Sequence, residues 1–281
     1  IYAGSYGWAS AGRFHHAQSQ LKRFLNCIGG HTSSKNTYSF AAAEVVVPHV
    51  LGDFGGFLDN CTSWESITSN CELFVAFGGV PLKNGQISQG GVGAHVQKSG
   101  LQSALNAGVK FVNISPLRSD LLCHIEAEWL ALRPSTDTAL MLGLAHVLIN
   151  EGLQNQDFLD LYTVGFEIFS AYLSGDSDGV PKTPEWAAEI CDLPAQEIRA
   201  LARRMARSRT MISVAWALTR QDHGEQPFWA AITLAAMLGQ IGLPGTGIGF
   251  GYSAMNNVGL NRYQIDYASF PQGQNAVKDF I

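Results

Sequence analysis

Charged residues are scarce in this chain of 281 residues. Asp, Glu, Lys and Arg make up 15% of it, hydrophobic residues make up 46%, and the net charge is −5. Soluble globular domains usually contain about 25% charged residues, and one interpretation of this composition is that much of the surface is covered by other protein. Lys and Arg form no stripe along the sequence, which argues against nucleic acid as a partner.

Cysteine pairs and long apolar runs are missing as well. The five cysteines are scattered and form no C-x-x-C, which argues against a zinc site, an iron–sulfur site or a disulfide framework. No run approaches the roughly 18 to 20 apolar residues that a membrane helix needs, so this segment contains no predicted membrane span. The first residue is Ile1 rather than Met, and no signal peptide precedes the first helical pattern, which leaves the compartment open.

Apolar runs and helical patterns alternate along the rest of the chain. The predicted strands are 71–79, 110–115, 127–132 and 209–216, and the predicted helices between and after them include 99–108, 136–153, 194–208 and 227–242. This alternation is typical of an α/β protein with a mostly parallel sheet. We therefore expect a Rossmann-like, three-layer domain together with part of a second α/β domain. The Gly-rich stretch 242–257 is predicted to be a loop.

Polar residues follow each predicted strand, where parallel sheets bind their ligands. The residues able to hold a phosphate or a purine edge are Lys83, Arg118, Thr136 with Asp137, and Arg220. Thr136 or Ser135 is also the expected N-cap of the long helix that begins there. The four loops together predict a nucleotide-like ligand.

Two motifs suggest a binding site, but the sequence around each of them argues against it. GTGIGFG (245–251) contains the spacing of a dinucleotide fingerprint, but a predicted helix precedes it where the fingerprint needs a strand, which argues against a nicotinamide dehydrogenase. His15 and His16 are neighbours on a predicted helix and point in different directions, so they are not expected to bind a metal together.

Several long motifs resemble one enzyme family. They are AGSYGWASAGRFHHAQSQLKRFLN (3–26), TYSFAAAEVVVPHVLG (37–52), KTPEWAAEICDLPAQEIRALA (182–202), HGEQPFWAAITLAAMLGQIGLPGTGIGFGY (223–252) and PQGQNAVKDFI (271–281). The chain resembles the molybdenum-dependent S-oxide and N-oxide reductases, which include the dimethyl sulfoxide, trimethylamine N-oxide and biotin sulfoxide reductases. The resemblance covers nearly the whole chain and implies that it is the middle of a protein more than twice as long, with N-terminal and C-terminal parts absent.

The resemblance implies a metal site near the start of the chain. Family members carry molybdenum held by two molybdopterin guanine dinucleotides (bis-MGD), and the metal alternates between Mo(IV) and Mo(VI) as oxygen leaves the substrate. Ser39 matches the residue whose oxygen binds molybdenum, and a hard, high-valent metal suits an alkoxide. The alternative is that Ser39 merely caps the next helix. Tyr6 and Trp8 match the aromatic pair of the metal pocket and can donate hydrogen bonds to a substrate oxygen; the alternative is ordinary aromatic packing.

The resemblance also assigns cofactor contacts to the strand-end loops, with Asp137 accepting from guanine N–H groups. The matching residues are Trp8, Lys83, Asn84, Ile114, Ser115, Ser135, Thr136, Asp137, Trp216, Ala217 and Arg220. Three positions depart from the family pattern, which usually has Lys at Ala9, Asp at Val80 and Asp at Ser115. A serine hydroxyl replaces only part of a carboxylate that would accept from a ribose or a guanine edge.

These observations predict part of a molybdenum reductase that transfers an oxygen atom from an S-oxide or N-oxide substrate to Mo(IV). The alternative is a catalytically silent α/β piece that binds part of the cofactor. Without a cysteine cluster for an iron–sulfur centre, electrons are expected from a separate donor protein. The predicted domains are 1–52, which carries the metal-pocket loop, 53–254, which binds the pterin dinucleotide, and 255–281, which returns to the first.

Overall fold

A five-stranded parallel sheet forms the centre of the molecule. The computed structural model describes residues 1–5, 7–9, 14–88, 93–121, 126–256, 258–260 and 269–280, so Tyr6 and Cys123 lie outside the described residues. The strands are β1 Leu73–Phe77, β2 Lys110–Ile114, β3 Ala127–Leu130, β4 Thr210–Val214 and β5 Gly247–Phe250. Their order in the sheet is β3-β2-β1-β4-β5, and all four pairings are parallel. The predicted α/β fold with a parallel sheet is confirmed.

Helices cover both faces of this sheet. They are α1 Ala17–Cys27, α2 Ala41–Leu51, α3 Phe54–Asp59, α4 Trp64–Asn70, α5 Gln97–Asn106, α6 Asp137–Asn150, α7 Gln156–Tyr162, α8 Phe166–Ser174, α9 Pro184–Cys191, α10 Ala195–Arg207 and α11 Glu225–Met237. On one face, Phe74 of β1 stacks on Trp64 of α4 with ring centroids 5.9 Å apart. On the other face, Phe250 of β5 packs against Phe228 of α11 at 4.3 Å. The domain therefore has three layers, and every residue of β1 and β4 is buried.

The prediction of a continuous loop over 242–257 is wrong, because β5 lies within it. Ile248 pairs with Ile212 of β4, and the pairing satisfies main-chain groups of a segment whose glycines give it little intrinsic strand preference. Gly249 is needed there, since a Cβ would lie 2.2 Å from the ring of Tyr252 and 2.7 Å from Met211. The strand β5 therefore forms because it pairs with β4, and its glycines leave room for the buried Tyr252 ring. The expectation that a helix precedes the motif is confirmed by α11.

Two helix starts differ in detail from the predictions. The helix α1 begins at Ala17, so His15 and His16 precede it rather than lie on it, and the His16 ring accepts a hydrogen bond from the Ser19 N–H at 3.2 Å as an N-cap. Thr136 is the N-cap residue of α6, as predicted, but its hydroxyl makes no cap bond and donates to the Arg133 carbonyl at 2.6 Å.

The segment 269–280 lies against the first part of the chain. Arg23 of α1 donates to the Pro271 carbonyl at 2.9 Å, and the Asn275 side chain makes two hydrogen bonds with the main chain of His31, at 3.0 and 2.7 Å. The predicted boundaries at 52/53 and 254/255 stay predictions. Across the described ranges, the helices are too short or too polar for a membrane crossing.

Gly100 of α5 tests the packing of one face of the sheet. A Cβ at Gly100 would lie 2.4 Å from the Trp64 indole, so we expect Gly100→Ala to lower the free energy of unfolding by about 1–3 kcal/mol through overpacking. Gly55 of α3 is the control, since its Cβ would meet only the Asp53 side chain at 3.8 Å. Gly55→Ala should leave stability unchanged or raise it by about 0.5–1 kcal/mol. Urea unfolding followed by tryptophan fluorescence measures both, and equal stabilities of the two variants would contradict this packing.

Candidate functional site

The strand order reverses at β1, and a ligand crevice is expected at the carboxyl end of the sheet where such a reversal occurs. β1 pairs with β2 on one side and with β4 on the other, and the crossover helices leave on opposite faces. Gly78 follows β1 at φ +81°, where a Cβ would lie 2.6 Å from the Cβ of Ala215 after β4. Only glycine lets these two strand ends lie this close. Ligands of parallel α/β sheets bind at such a reversal.

The loop of Ser39 contacts this crevice through its main chain. The Ser39 N–H donates to the Thr37 hydroxyl at 3.2 Å. The Ser39 carbonyl accepts from the Arg220 guanidinium at 3.1 Å and from the Thr219 hydroxyl at 3.5 Å. Arg220 and Thr219 both follow β4, so these bonds fix Ser39 relative to the sheet.

The Ser39 hydroxyl does not cap α2. The N-cap residue of α2 is Phe40, and no side chain makes the cap bond. In the part of the chain that the structure describes, no hydrogen bond involves the Ser39 hydroxyl, and Ser39 is half-buried. The N-cap alternative for Ser39 is therefore wrong. Its oxygen lies two residues before α2, whose N-terminal dipole favours an anion.

Glu44, which sequence reasoning missed, lies near the same loop. Burial raises the pKa of Glu44 above its usual range, and the nearby Thr37 N–H offsets part of this increase. One oxygen of Glu44, Oε2, is buried without a hydrogen-bond partner among the described residues. In the sequence, Glu44 is recognisable only as an acidic residue in the first turn of α2. Such a residue interacts favourably with the helix dipole and does not by itself indicate a site.

Trp216 forms the wall of the crevice after β4. Its ring lies 4.1 Å from the Phe40 ring and 5.9 Å from the Phe250 ring, measured between centroids. Its indole N–H is buried without a hydrogen-bond partner among the described residues. A Cβ at Gly251 would lie 2.8 Å from that nitrogen. A buried, unused donor is uncommon in proteins and fits a site that receives a ligand.

The loops after β1 and β2 meet at Asp120. Lys83 is 67% exposed, with its ammonium 3.8 Å from one Asp120 oxygen, and the buried Ser115 hydroxyl donates to the other at 2.7 Å. Asn84 is exposed in the turn beside Lys83, whereas the Ile114 side chain is fully buried in the core. Lys83 and Ser115, predicted separately, are thus joined by a residue that was not predicted.

Asp137 is a buried carboxylate in the loop after β3. It is the first residue of α6 and is only 6% exposed. Burial raises its pKa to about 6, and its own N–H lowers that value in part. Ser135, two residues earlier, adopts the left-handed conformation at φ +66°. The thiol of buried Cys191 donates a hydrogen bond to the Thr136 carbonyl at 3.3 Å, which links this loop to the end of α9.

The remaining predicted residues lie around this edge. Trp8 packs partly buried against the core, and Ala217 is exposed beside Trp216. Tyr6 lies outside the described residues. The four strand-end loops thus share one edge of the sheet, as predicted, while the separate role of each residue stays a prediction.

The described ranges contain no cluster of three or more His, Cys, Asp or Glu side chains that could hold a metal ion. The described cysteines are unpaired, and burial raises the pKa of Cys61 to about 11 and that of Cys71 to about 12. An open groove of about 870 Å³ lies beside the start of β5, away from the carboxyl edge, and no predicted site residue is among its described lining residues. We take the carboxyl edge as the candidate site because the strand-end loops and the Ser39 main chain meet there.

The sequence and the fold are similar to those of known proteins. A family model described as "Molybdopterin oxidoreductase" matches residues 1–276. The chain belongs to the molybdopterin oxidoreductase family. It is 48% identical to a biotin sulfoxide reductase and 44% identical to a dimethyl sulfoxide/trimethylamine N-oxide reductase, both from Cereibacter sphaeroides, over 92% and 91% of its length. It is 42% identical to a trimethylamine-N-oxide reductase of Haemophilus influenzae over 91% of its length.

These molybdopterin oxidoreductases are longer proteins. The chain spans about a third of their length, from 31% to 35%. A solved structure, acetylene hydratase from Pelobacter acetylenicus, superposes with a TM-score of 0.57 at 26% identity and covers 80% of this chain and 28% of its own. The predicted family and fold are confirmed by these matches.

Asp137→Asn tests whether this buried carboxylate destabilises the fold. A carboxyl whose folded pKa is about 6, against about 3.9 when unfolded, binds more protons in the native state between these values. Stability from this group therefore falls as pH rises from about 4 to 6 and stays low above that. Asp137→Asn removes the cost, and we expect it to raise the free energy of unfolding at pH 7.5 by about 2–3 kcal/mol.

Urea unfolding from pH 4 to 8 measures this effect. The matched control is Asp157→Asn, an exposed aspartate in the first turn of α7, which should cost about 0.3–1 kcal/mol through the helix dipole. If Asp137→Asn proved no more stable than the native chain at pH 7.5, the buried charge would not be the cost described.

Proposed function

We propose that this chain works as part of a molybdenum-dependent reductase that takes an oxygen atom from an S-oxide or N-oxide. The observation that carries the proposal is its 36–48% identity, over at least 90% of its length, to relatives named as biotin sulfoxide, dimethyl sulfoxide or trimethylamine N-oxide reductases. The substrate would be a small S-oxide or N-oxide, and a separate protein would donate the electrons. N-terminal and C-terminal parts of the same protein would complete the pocket, which fits the one-third coverage of the relatives.

The cofactor would be molybdenum held by two molybdopterin guanine dinucleotides. Three features of the described chain fit such a group: the buried Trp216 indole N–H without a partner, the buried Asp137 carboxylate, and the Ser39 hydroxyl that makes no hydrogen bond. The Trp216 N–H is a hydrogen-bond donor and the Asp137 carboxylate is an acceptor, and both lie at the carboxyl edge of the sheet. A nucleotide and a pterin also contain both donors and acceptors, so they could bind to these groups. The bound metal would supply the two-electron chemistry of oxygen removal.

Ser39 would bind the metal through its oxygen. The helix α2 begins two residues later, and its positive end lowers the energy of an ionised hydroxyl. Thr37, Thr219 and Arg220 hold the main chain of Ser39, which limits the positions open to its hydroxyl oxygen. Prepositioning of this kind is what a metal ligand requires.

Trp8 and Tyr6 would donate hydrogen bonds to the substrate oxygen, where charge shifts during the reaction. The nucleotide and pterin contacts would come from the strand-end loops, with the Lys83 ammonium at a phosphate and Asp137 accepting from guanine N–H groups. The residues proposed for these contacts are Trp8, Lys83, Asn84, Ile114, Ser115, Ser135, Thr136, Asp137, Trp216, Ala217 and Arg220.

The second candidate is a catalytically silent α/β module that binds part of the cofactor. Metal analysis separates the two proposals. The full-length enzyme should contain about one molybdenum per chain, because the reductase proposal places the redox chemistry on the metal. A metal-free full-length protein that still binds guanine nucleotide would favour the silent module.

Ser39→Ala in the full-length enzyme tests the ligand role. We expect turnover of dimethyl sulfoxide, trimethylamine N-oxide and biotin sulfoxide to fall to background, while the fold persists because a loop hydroxyl contributes about 1 kcal/mol or less. Ser34→Ala is the control, an exposed serine in the preceding loop, and should keep full activity. Circular dichroism checks the fold, and normal turnover by Ser39→Ala would refute the ligand role.

A further inference from the structure

The end of β2 lacks an acidic side chain where dinucleotide-binding sheets need one. In sheets with this strand order, an acidic residue near the end of the second strand accepts hydrogen bonds from the ribose hydroxyls. Ser115 occupies that position here, directly after Ile114 of β2. A neutral hydroxyl can accept a hydrogen bond, but a carboxylate carries a charge and has two oxygens, so it can accept hydrogen bonds from both hydroxyls of a vicinal diol.

Asp120 brings a carboxylate to the same position. It ends the short 3₁₀ turn Arg118–Asp120, and its Oδ2 accepts from the Ser115 hydroxyl at 2.7 Å. Its carbonyl accepts from the Val80 N–H at 2.6 Å. A Cβ at Gly79 would lie 2.4 Å from that carbonyl oxygen, so glycine is required for this approach. Asp120 thus touches both loops at the crevice.

The Asp120 carboxylate keeps free capacity for a ligand. Its two oxygens offer about four acceptor positions, and the Ser115 hydroxyl uses one of them. The Lys83 ammonium lies 3.8 Å from Oδ1 and is 67% exposed, so this ion pair is weak and Lys83 remains able to reach a phosphate. The Asp120 side chain is 15% exposed, so the described residues do not enclose it completely.

We propose that Asp120 recognises the ribose hydroxyls of the bound guanine nucleotide and so replaces the acid that position 115 lacks. The inference rests on the proposed function, since it needs a nucleotide in the crevice. Ser115 acts as a positioning residue, because its hydroxyl orients the Asp120 carboxylate. Asp120 is therefore a specificity-determining residue that distinguishes ribose from a sugar without hydroxyls.

The test compares two probes on the full-length apoprotein, GDP and 2′,3′-dideoxy-GDP, by isothermal titration calorimetry. The native protein should bind GDP about tenfold or more tightly than the dideoxy analogue, as expected for hydrogen bonds to a charged group. Asp120→Ser and the isosteric Asp120→Asn should bind GDP about as weakly as the native protein binds the analogue. A purely structural role would weaken both probes equally and keep their ratio.

Two further variants sharpen the result. The exchange Ser115→Asp with Asp120→Ser keeps a hydroxyl–carboxylate pair but reverses its order, and it should regain most of the preference for GDP. Asp176→Ser is the control, because the Asp176 carboxylate also accepts from a serine hydroxyl, that of Ser174, at 2.7 Å, but on the exposed surface after α8. It should leave both affinities unchanged.

The possible outcomes distinguish a failure of the Asp120 inference from a failure of the proposed guanine-nucleotide site. A native preference for GDP that survives in Asp120→Asn would overturn the role of Asp120 and leave the nucleotide site intact. Equal binding of both probes by the native protein would do the same. Failure of the native apoprotein to bind either probe would overturn the guanine-nucleotide site itself, and the Asp120 inference with it.

Discussion

The site depends on one constraint, the pairing of β1 with β2 on one side and with β4 on the other. At such a reversal the crossover helices leave on opposite faces, and parallel sheets bind their ligands beside the loops that follow the two strands. Close contact of the strand ends then requires glycine, as at Gly78 against Ala215. The main chain of Ser39, the Trp216 ring and the Asp120 carboxylate all lie where this topology places them.

Groups that break the usual rules of a folded chain lie around the same crevice. Asp137 is a carboxylate buried at a cost to stability, Trp216 has a buried N–H without a partner among the described residues, and Ser135 adopts a left-handed conformation. Buried polar groups without a partner among the described residues also occur away from the crevice, such as the Trp64 indole N–H. The buried charge of Lys182 is paired, since its ammonium bonds the Asp178 carboxylate at 2.7 Å and faces the Tyr172 ring at 4.0 Å. Strained or unsatisfied groups are expected where a protein receives a ligand.

The sequence predicted the parts of the fold that carry a strong local signal. The strands β1, β2 and β4 lie within the predicted apolar runs, because a strand buried on both faces reads as continuous hydrophobic sequence. The strand β5 was missed because its glycines interrupt the hydrophobic run, and it forms through its pairing with β4. Asp120 and Glu44 were missed for a related reason. Asp120 contacts the Ser115 hydroxyl and the Val80 N–H, and Glu44 lies near Thr37, so neither position belongs to a local motif.

Position 39 is held entirely by its backbone, through one N–H and one carbonyl. The geometry of the loop is consequently independent of the side chain that it presents. Another small donor, such as a thiol, could stand there without any redesign of the scaffold around it. If position 39 binds the metal as proposed, its backbone would set where the bonding atom lies, and its side chain would set which element forms the bond.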